Sequence, residues 1–182
     1  VVMEPQTSDV KAWVGDLNFE AWKYDKVLGR RQPGSTFKPI TAVAALECGL
    51  DPRRNIRDKG YITIGDRTFG CSNWNNYRST HGIENLVTGI QNSCNFYFYC
   101  IASGRDWNNN ASLNYSEDIS IDKIMSVASE FGLGSSSGIE ISEIVSPLAS
   151  AERKMASTKA MLRSALKANA SKYWPKSTYE DA

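Results

Sequence analysis

Histidine is nearly missing from this chain: its 182 residues include one, His81. That scarcity argues against a Ser-His-Asp triad and against a metal site built from several imidazoles. Thr80-His81-Gly82 therefore reads as a turn or a helix entry, and neither a metal nor a cofactor is expected. Long apolar runs are missing too. None approaches the roughly 18 residues a spanning helix needs, and the first residues lack the basic-then-apolar layout of a signal peptide. The chain opens in a strand-like segment without an initiator methionine, which reads as a piece of a longer protein. No block of one charge occurs, and 21 Lys and Arg against 20 Asp and Glu leave a formal net charge of +1. Such a balance gives no footprint for nucleic acid or for an anionic membrane. Paired CxxC cysteines are also lacking, so Cys48, Cys71, Cys94 and Cys100 read as buried free thiols; a Cys71–Cys94 or Cys71–Cys100 bridge stays open if the protein works outside the cytoplasm.

What the chain does have is enough apolar material, 41% of its residues, to bury a core of single-domain size or most of a larger one. Residues 1–4 and 10–15 are short apolar runs flanking Pro5-Gln6-Thr7-Ser8-Asp9, a pattern that predicts a β-hairpin. Residues 36–48 are apolar nearly all round and meet Gly49 as a stop, which predicts a central, buried helix. Pro39 falls in its first turn, where its missing N–H costs little. A strand is predicted over residues 61–64. Helices are predicted over 83–91 and 96–103, with Asn92-Ser93-Cys94-Asn95 as a polar joint between them. Residues 105–118 read as an exposed hydrophilic loop, and further helices are expected over 119–131, closed by Gly132, and over about 150–170, capped by Ser150.

The strongest chemical signal is Arg31-Gln32-Pro33-Gly34-Ser35-Thr36-Phe37-Lys38-Pro39. A serine at a helix mouth with a lysine three residues on brings hydroxyl and amine to one face of the first turn. Burial and the positive helix end both disfavour a charged lysine, so Lys38 can accept the proton that makes Ser35 a nucleophile. Ser-x-x-Lys alone is a cheap pattern, usually an N-cap serine with a surface lysine; Ser164-Ala165-Leu166-Lys167 lies in an ordinary amphipathic stretch. The Pro-Gly break before Ser35 and the apolar run after Lys38 separate the first quartet from the second.

These residues resemble the nucleophile motif of high-molecular-mass penicillin-binding proteins, whose motif set is shared with class A β-lactamases. The opening hairpin is similar to the strand pair that begins that family's transpeptidase domain, and Ser93-Cys94-Asn95 is similar to its Ser-x-Asn motif. The resemblance covers about residues 1–145. It implies an α/β (α+β), β-lactamase/transpeptidase-like fold, a helical cluster against an antiparallel sheet. It further implies Ser35 as the acylated serine, Lys38 as its proton partner, Ser93 as a proton relay to the leaving amine, and Asn95 as a holder of Lys38 and of the substrate amide. Read without the resemblance, Ser93 and Asn95 are capping residues between two helices.

The family's third motif, Lys-Thr/Ser-Gly on an inner strand, has no counterpart here. Lys176-Ser177-Thr178 lacks the glycine and reads as a solvated tail. The expectation is thus one domain over residues 1–182 whose sheet is incomplete, with the remaining strands on a downstream segment or a second chain, and with no activity alone. The resemblance implies a D,D-transpeptidase that cross-links peptidoglycan stem peptides and binds β-lactams, in a membrane-anchored parent outside the cytoplasm. A serine β-lactamase, a D,D-carboxypeptidase or a non-catalytic β-lactam sensor is the alternative.

Overall fold

A computed structural model of the chain describes residues 1–18, 20, 25–139, 142–169 and 172. It divides into two compact units, Val1–Pro147 and Leu148–Ala182. The first unit is an α/β assembly in which helices pack together beside short antiparallel strand pairs. Strands β1 (Val2–Met3) and β2 (Val10–Ala12) form the opening hairpin, with Val2 opposite Ala12. Their apolar side chains Val2, Met3 and Val10 remain exposed.

A 3₁₀ turn over Gly34–Phe37 leads into α1 (Lys38–Glu47). Helix α1 buries Ile40, Ala42, Ala44 and Ala45, the three alanines letting neighbouring helices come close. It ends where Gly49 takes φ +102°, a conformation that β-carbon sterics deny to most residues. Strand β3 (Ile56–Arg57) pairs with β6 (Ile83–Glu84), and β4 (Tyr61–Ile64) pairs with β5 (Arg67–Gly70). Helix α2 (Ser72–Tyr77) follows directly on β5.

The helix predicted over 83–91 is shorter than its apolar pattern suggests. Ile83–Glu84 is strand, and the helix proper is α3 (Leu86–Gln91). Asn85 decides the boundary: its backbone is extended and its side-chain Oδ1 accepts the Thr88 N–H, while the Thr88 hydroxyl oxygen accepts the Asn85 N–H, a reciprocal cap. Helix α4 (Asn95–Ser103) is buried at Phe96, Tyr97, Phe98, Cys100 and Ile101, and α1 packs against it. Each such side chain taken from water contributes about 1.5–3 kcal/mol before entropy is counted. The joint between α3 and α4 is so tight that a β-carbon on Gly89 would sit 2.8 Å from the Tyr97 ring.

Residues 105–118 are mostly exposed, as their polarity predicts, but they are not plain loop. They form the pair β7 (Arg105–Asp106) and β8 (Ala111–Ser112), bury Leu113, and tie back to the helices. Tyr115 Oη donates to the Ile101 carbonyl at 3.0 Å, and Ser116 Oγ donates to the Cys48 carbonyl at 3.0 Å. Helix α5 (Ile121–Glu130), capped by Ser120, packs on α1, and Lys123 pairs with Glu47 at 3.0 Å.

Helix α6 (Ala151–Ala168) belongs to the second unit. Ser150 caps it by accepting the Arg153 N–H, and none of its residues is buried. Among the described residues the strands pair only two by two, and no helix is long and apolar enough to cross a membrane. Lys176-Ser177-Thr178 lies outside the described residues.

Candidate active site

The Pro-Gly break works through Gly34, whose φ of +57° turns the chain into the 3₁₀ segment. Side chains three apart nearly eclipse in a 3₁₀ turn. Ser35 and Lys38 therefore lie one above the other, and Lys38 Nζ stands 2.9 Å from Ser35 Oγ. The turn is pinned from outside by Thr36, whose hydroxyl donates to the Pro33 carbonyl at 2.6 Å. Ser35 itself is exposed, while Lys38 is half-buried.

Helices α3 and α4 bring the second half of the site. Ser93 takes φ 51°, a left-handed conformation that costs a non-glycine residue about 1–2 kcal/mol. The turn directs both of its oxygens to the lysine: Lys38 Nζ donates to the Ser93 carbonyl at 3.0 Å and stands 2.9 Å from Ser93 Oγ. Asn95 Oδ1 accepts from the same amine at 2.7 Å, and its Nδ2 donates to the Gly70 carbonyl at 3.1 Å. The Gly70 bond fixes which way the amide faces. Neither residue caps α4; that is done by Cys94, whose sulfur accepts the Tyr97 N–H. All four residues singled out in the sequence thus converge on one nitrogen.

That convergence has a chemical meaning. An ammonium has three donors, yet four oxygens surround Nζ. With the amine neutral, either serine hydroxyl can donate to its lone pair instead. Burial lowers the Lys38 pKa from its ordinary 10.5, opposed by the nearby Cys71 and Cys94 sulfurs. The Phe98 ring lies 5.5 Å from Nζ. Beside Ser35 opens a cavity of about 260 Å³ whose walls include Phe37, Thr41, Phe98 and Tyr99.

Directly behind lies a second polar cluster that the sequence did not announce. His81 is no plain turn residue: its Nδ1 is 2.8 Å from Asp58 Oδ2, and its N–H donates to the same oxygen at 3.0 Å. Asp58 Oδ1 accepts the Gly60 N–H at 2.6 Å. Burial opposes ionisation of this carboxyl, but the hydrogen bonds from His81 and Gly60 outweigh it and hold the pKa below 3.8. All four cysteines are free and buried, and Cys71 Sγ lies 3.8 Å from Cys94 Sγ. A hydrogen bond from Cys94 draws the Cys71 thiol down to about 7 and pushes that of Cys94 up. Asp58, Cys71, His81 and Cys94 together offer four ligand atoms within 4.8 Å of one another, a donor set able to hold a zinc-class ion. Nothing in the spacing of 58, 71, 81 and 94 gives it away, because it forms only when β3–β6, β5 and the α3–α4 joint meet.

Helices gathered beside short antiparallel strands, with a Ser-x-x-Lys turn facing a Ser-x-Asn joint, are the architecture of penicillin-binding transpeptidase domains. Over 75% of this chain and 28% of the other, it superposes on Pseudomonas aeruginosa PBP2, solved in complex with WCK 5153, with a TM-score of 0.59 and 27% identity. The family model of the penicillin binding protein transpeptidase domain matches residues 1–170, and the chain belongs to that family. It is 32% identical over 166 residues to the peptidoglycan D,D-transpeptidase MrdA of Haemophilus influenzae, covering 79% of this chain and 23% of the relative. With penicillin-binding protein 1A of Rickettsia felis it shares 31% identity over 137 residues, 73% of this chain and 15% of the relative. The chain thus spans between 15% and 23% of the length of these relatives.

Proposed function

We propose that this chain is the acylating part of a D,D-transpeptidase that cross-links peptidoglycan stem peptides. The observation that carries the reading is the single amine of Lys38 held between Ser35, Ser93 and Asn95. In the forward half-reaction Ser35 Oγ attacks the carbonyl carbon of the penultimate D-alanine while its proton passes to Lys38 Nζ. The Ser35 backbone N–H, at the mouth of the helix, stabilises the oxyanion. The C–N bond then breaks, and Ser93, bonded to the same Nζ, returns a proton to the departing amine. Asn95 holds Lys38 in line and offers its amide to the substrate backbone. An amine from a second stem peptide attacks the acyl-enzyme, its proton returns through Lys38, and Ser35 is regenerated. A β-lactam follows the first half of this path and remains on Ser35.

The Lys-Thr/Ser-Gly strand that recognises the substrate carboxylate would come from a segment outside these residues, so the chain alone is inactive. The parent protein works outside the cytoplasm, anchored in the membrane.

The test is covalent labelling of the complete domain by a fluorescent penicillin, read as a mass shift localised to the Ser35 peptide. Labelling elsewhere, or undiminished in Ser35→Ala, removes Ser35 from the mechanism. Rapid nitrocefin turnover in place of a stalled adduct would assign the fold to hydrolysis instead.

A further inference from the structure

The near balance of charge over the whole chain conceals a local excess. Helix α6 carries Arg153, Lys154, Lys159, Arg163 and Lys167 against the single acid Glu152, so the remainder of the chain holds more acids than bases. None of the five cations forms an ion pair among the described residues. Ala151, Met155, Thr158, Leu162, Ala165 and Leu166 recur at intervals of three and four, which lines them up as one stripe along the helix. Lys154 borders that stripe on one side and Lys159 and Arg163 on the other, while Arg153 and Lys167 fall on the opposite face. No residue of α6 is buried, and Met155 and Leu162 stand 58% and 57% exposed. In water most of the stability of a helix comes from packing its apolar face. The stripe therefore calls for a cover that the described residues do not supply.

We propose that α6 is a membrane-surface helix: it lies in the interface of an anionic phospholipid bilayer, with Met155, Leu162 and Leu166 among the acyl chains and its lysines and arginines at the phosphates. Three observations select this occupant. Cations along both rims match a negative surface, where each long side chain buries its methylene stem and keeps its charge at headgroup level. The same rims oppose a second copy, because two such stripes laid together would set cations against cations. The helix is not apolar enough to cross a bilayer, so it lies along the surface rather than through it. With three large apolar side chains the binding is weak and reversible, and electrostatic attraction supplies a large part of it. The inference takes from the proposed function only a membrane within reach. A parent anchored elsewhere in its sequence thereby gains a second, salt-sensitive attachment.

The experiment mixes the 182-residue chain with vesicles of phosphatidylcholine alone and with vesicles that also contain phosphatidylglycerol, and reads binding by co-sedimentation. Binding to the second kind only, falling as salt is raised, is the expected result. No binding to either, or equal binding to both, overturns the proposal. Lys154→Glu, Lys159→Glu and Arg163→Glu combined keep good helix formers at three exposed positions and should weaken binding about 10²-fold; an unchanged affinity overturns the role of the rims. Hydrogen exchange then locates the contact. The amides of residues 151–168 should slow only when anionic vesicles are added. Binding without that slowing assigns the contact to another part of the chain, and slow exchange before lipid is added means that protein already covers the stripe; either overturns the proposal. The same measurement on the full-length parent, reconstituted into phosphatidylcholine alone, asks whether the rest of the parent does so, and protection there overturns it as well. None of these readouts involves acylation, so they stand or fall apart from the labelling of Ser35.

Discussion

Two polar clusters lie back to back in this fold and solve opposite problems. The Lys38 cluster faces a cavity, places one cation among four oxygens, and leaves its nucleophile exposed. The Asp58 cluster is buried apart from an edge of His81, and its carboxylate is matched with donors on both oxygens. The contrast separates a group of residues poised to exchange protons from a group that holds three loops in register. Asn95 is the hinge between them, bonded to Lys38 on one side and to the backbone leading into Cys71 on the other.

The comparison breaks first at Ser35. Ser35→Ala should abolish covalent penicillin labelling while shifting stability by no more than about 0.5 kcal/mol, as for an exposed side chain whose partner, Lys38 Nζ, keeps three other oxygens; labelling and a denaturant titration on the same preparation read both. Lys38→Ala should slow acylation roughly 10²–10⁴-fold with the hydroxyl still in place, and an unchanged rate would transfer the base function to another group. In the wild type the pH profile carries the same information. Burial favours the neutral amine, so acylation should rise with pH and level off below pH 10.5. A plateau reached only above 10.5 would contradict a half-buried base.

Across the divide the expected effects move from rate to stability. Asp58→Ala strips the acceptor from two backbone N–H groups and an imidazole, and should cost about 3 kcal/mol of unfolding free energy. The wild-type carboxyl is held below 3.8 when folded. Its contribution is therefore complete above pH 3.8 and fades as the pH falls through the lower folded-state value. Denaturation midpoints measured from neutral pH downward should show that loss in the wild type and not in Asp58→Ala. Smaller than the loss of Asp58 is that expected for Gly34→Ala. Nothing lies within 4 Å of the added β-carbon, so only the left-handed backbone resists, at about 1–2 kcal/mol, and the labelling rate reports whether the 3₁₀ turn survives.

The two clusters also differ in how far the sequence discloses them. Ser35 and Lys38 are three residues apart on one turn, so helix geometry alone brings them together. Ser93 and Asn95 were visible through a family pattern, not through spacing. The Asp58 cluster was hidden. Its members lie on separate elements, and one of them, His81, is the lone histidine whose pattern reads only as a turn or a helix entry. Local patterning found α1, α4, α5 and α6 because apolar periodicity or a capping serine marks each. It overran the start of α3, where Asn85 and pairing with β3 outweigh an apolar stretch. It rightly left most of residues 105–118 exposed but missed the β7–β8 pair and the hydrogen bonds that tether Tyr115 and Ser116 to the helices, which leave no trace in polarity.

The left-handed turn at Ser93 has a consequence for the spelling of this position. Backbone and side chain there answer to separate demands, because the main-chain carbonyl reaches Lys38 only when φ is positive and the hydroxyl reaches it only if a hydroxyl exists. Asparagine and glycine accept the backbone but carry no hydroxyl. Threonine carries the hydroxyl, yet its β-branch resists the conformation. Position 93 is thus constrained twice over, and serine is the small residue that satisfies both demands at once.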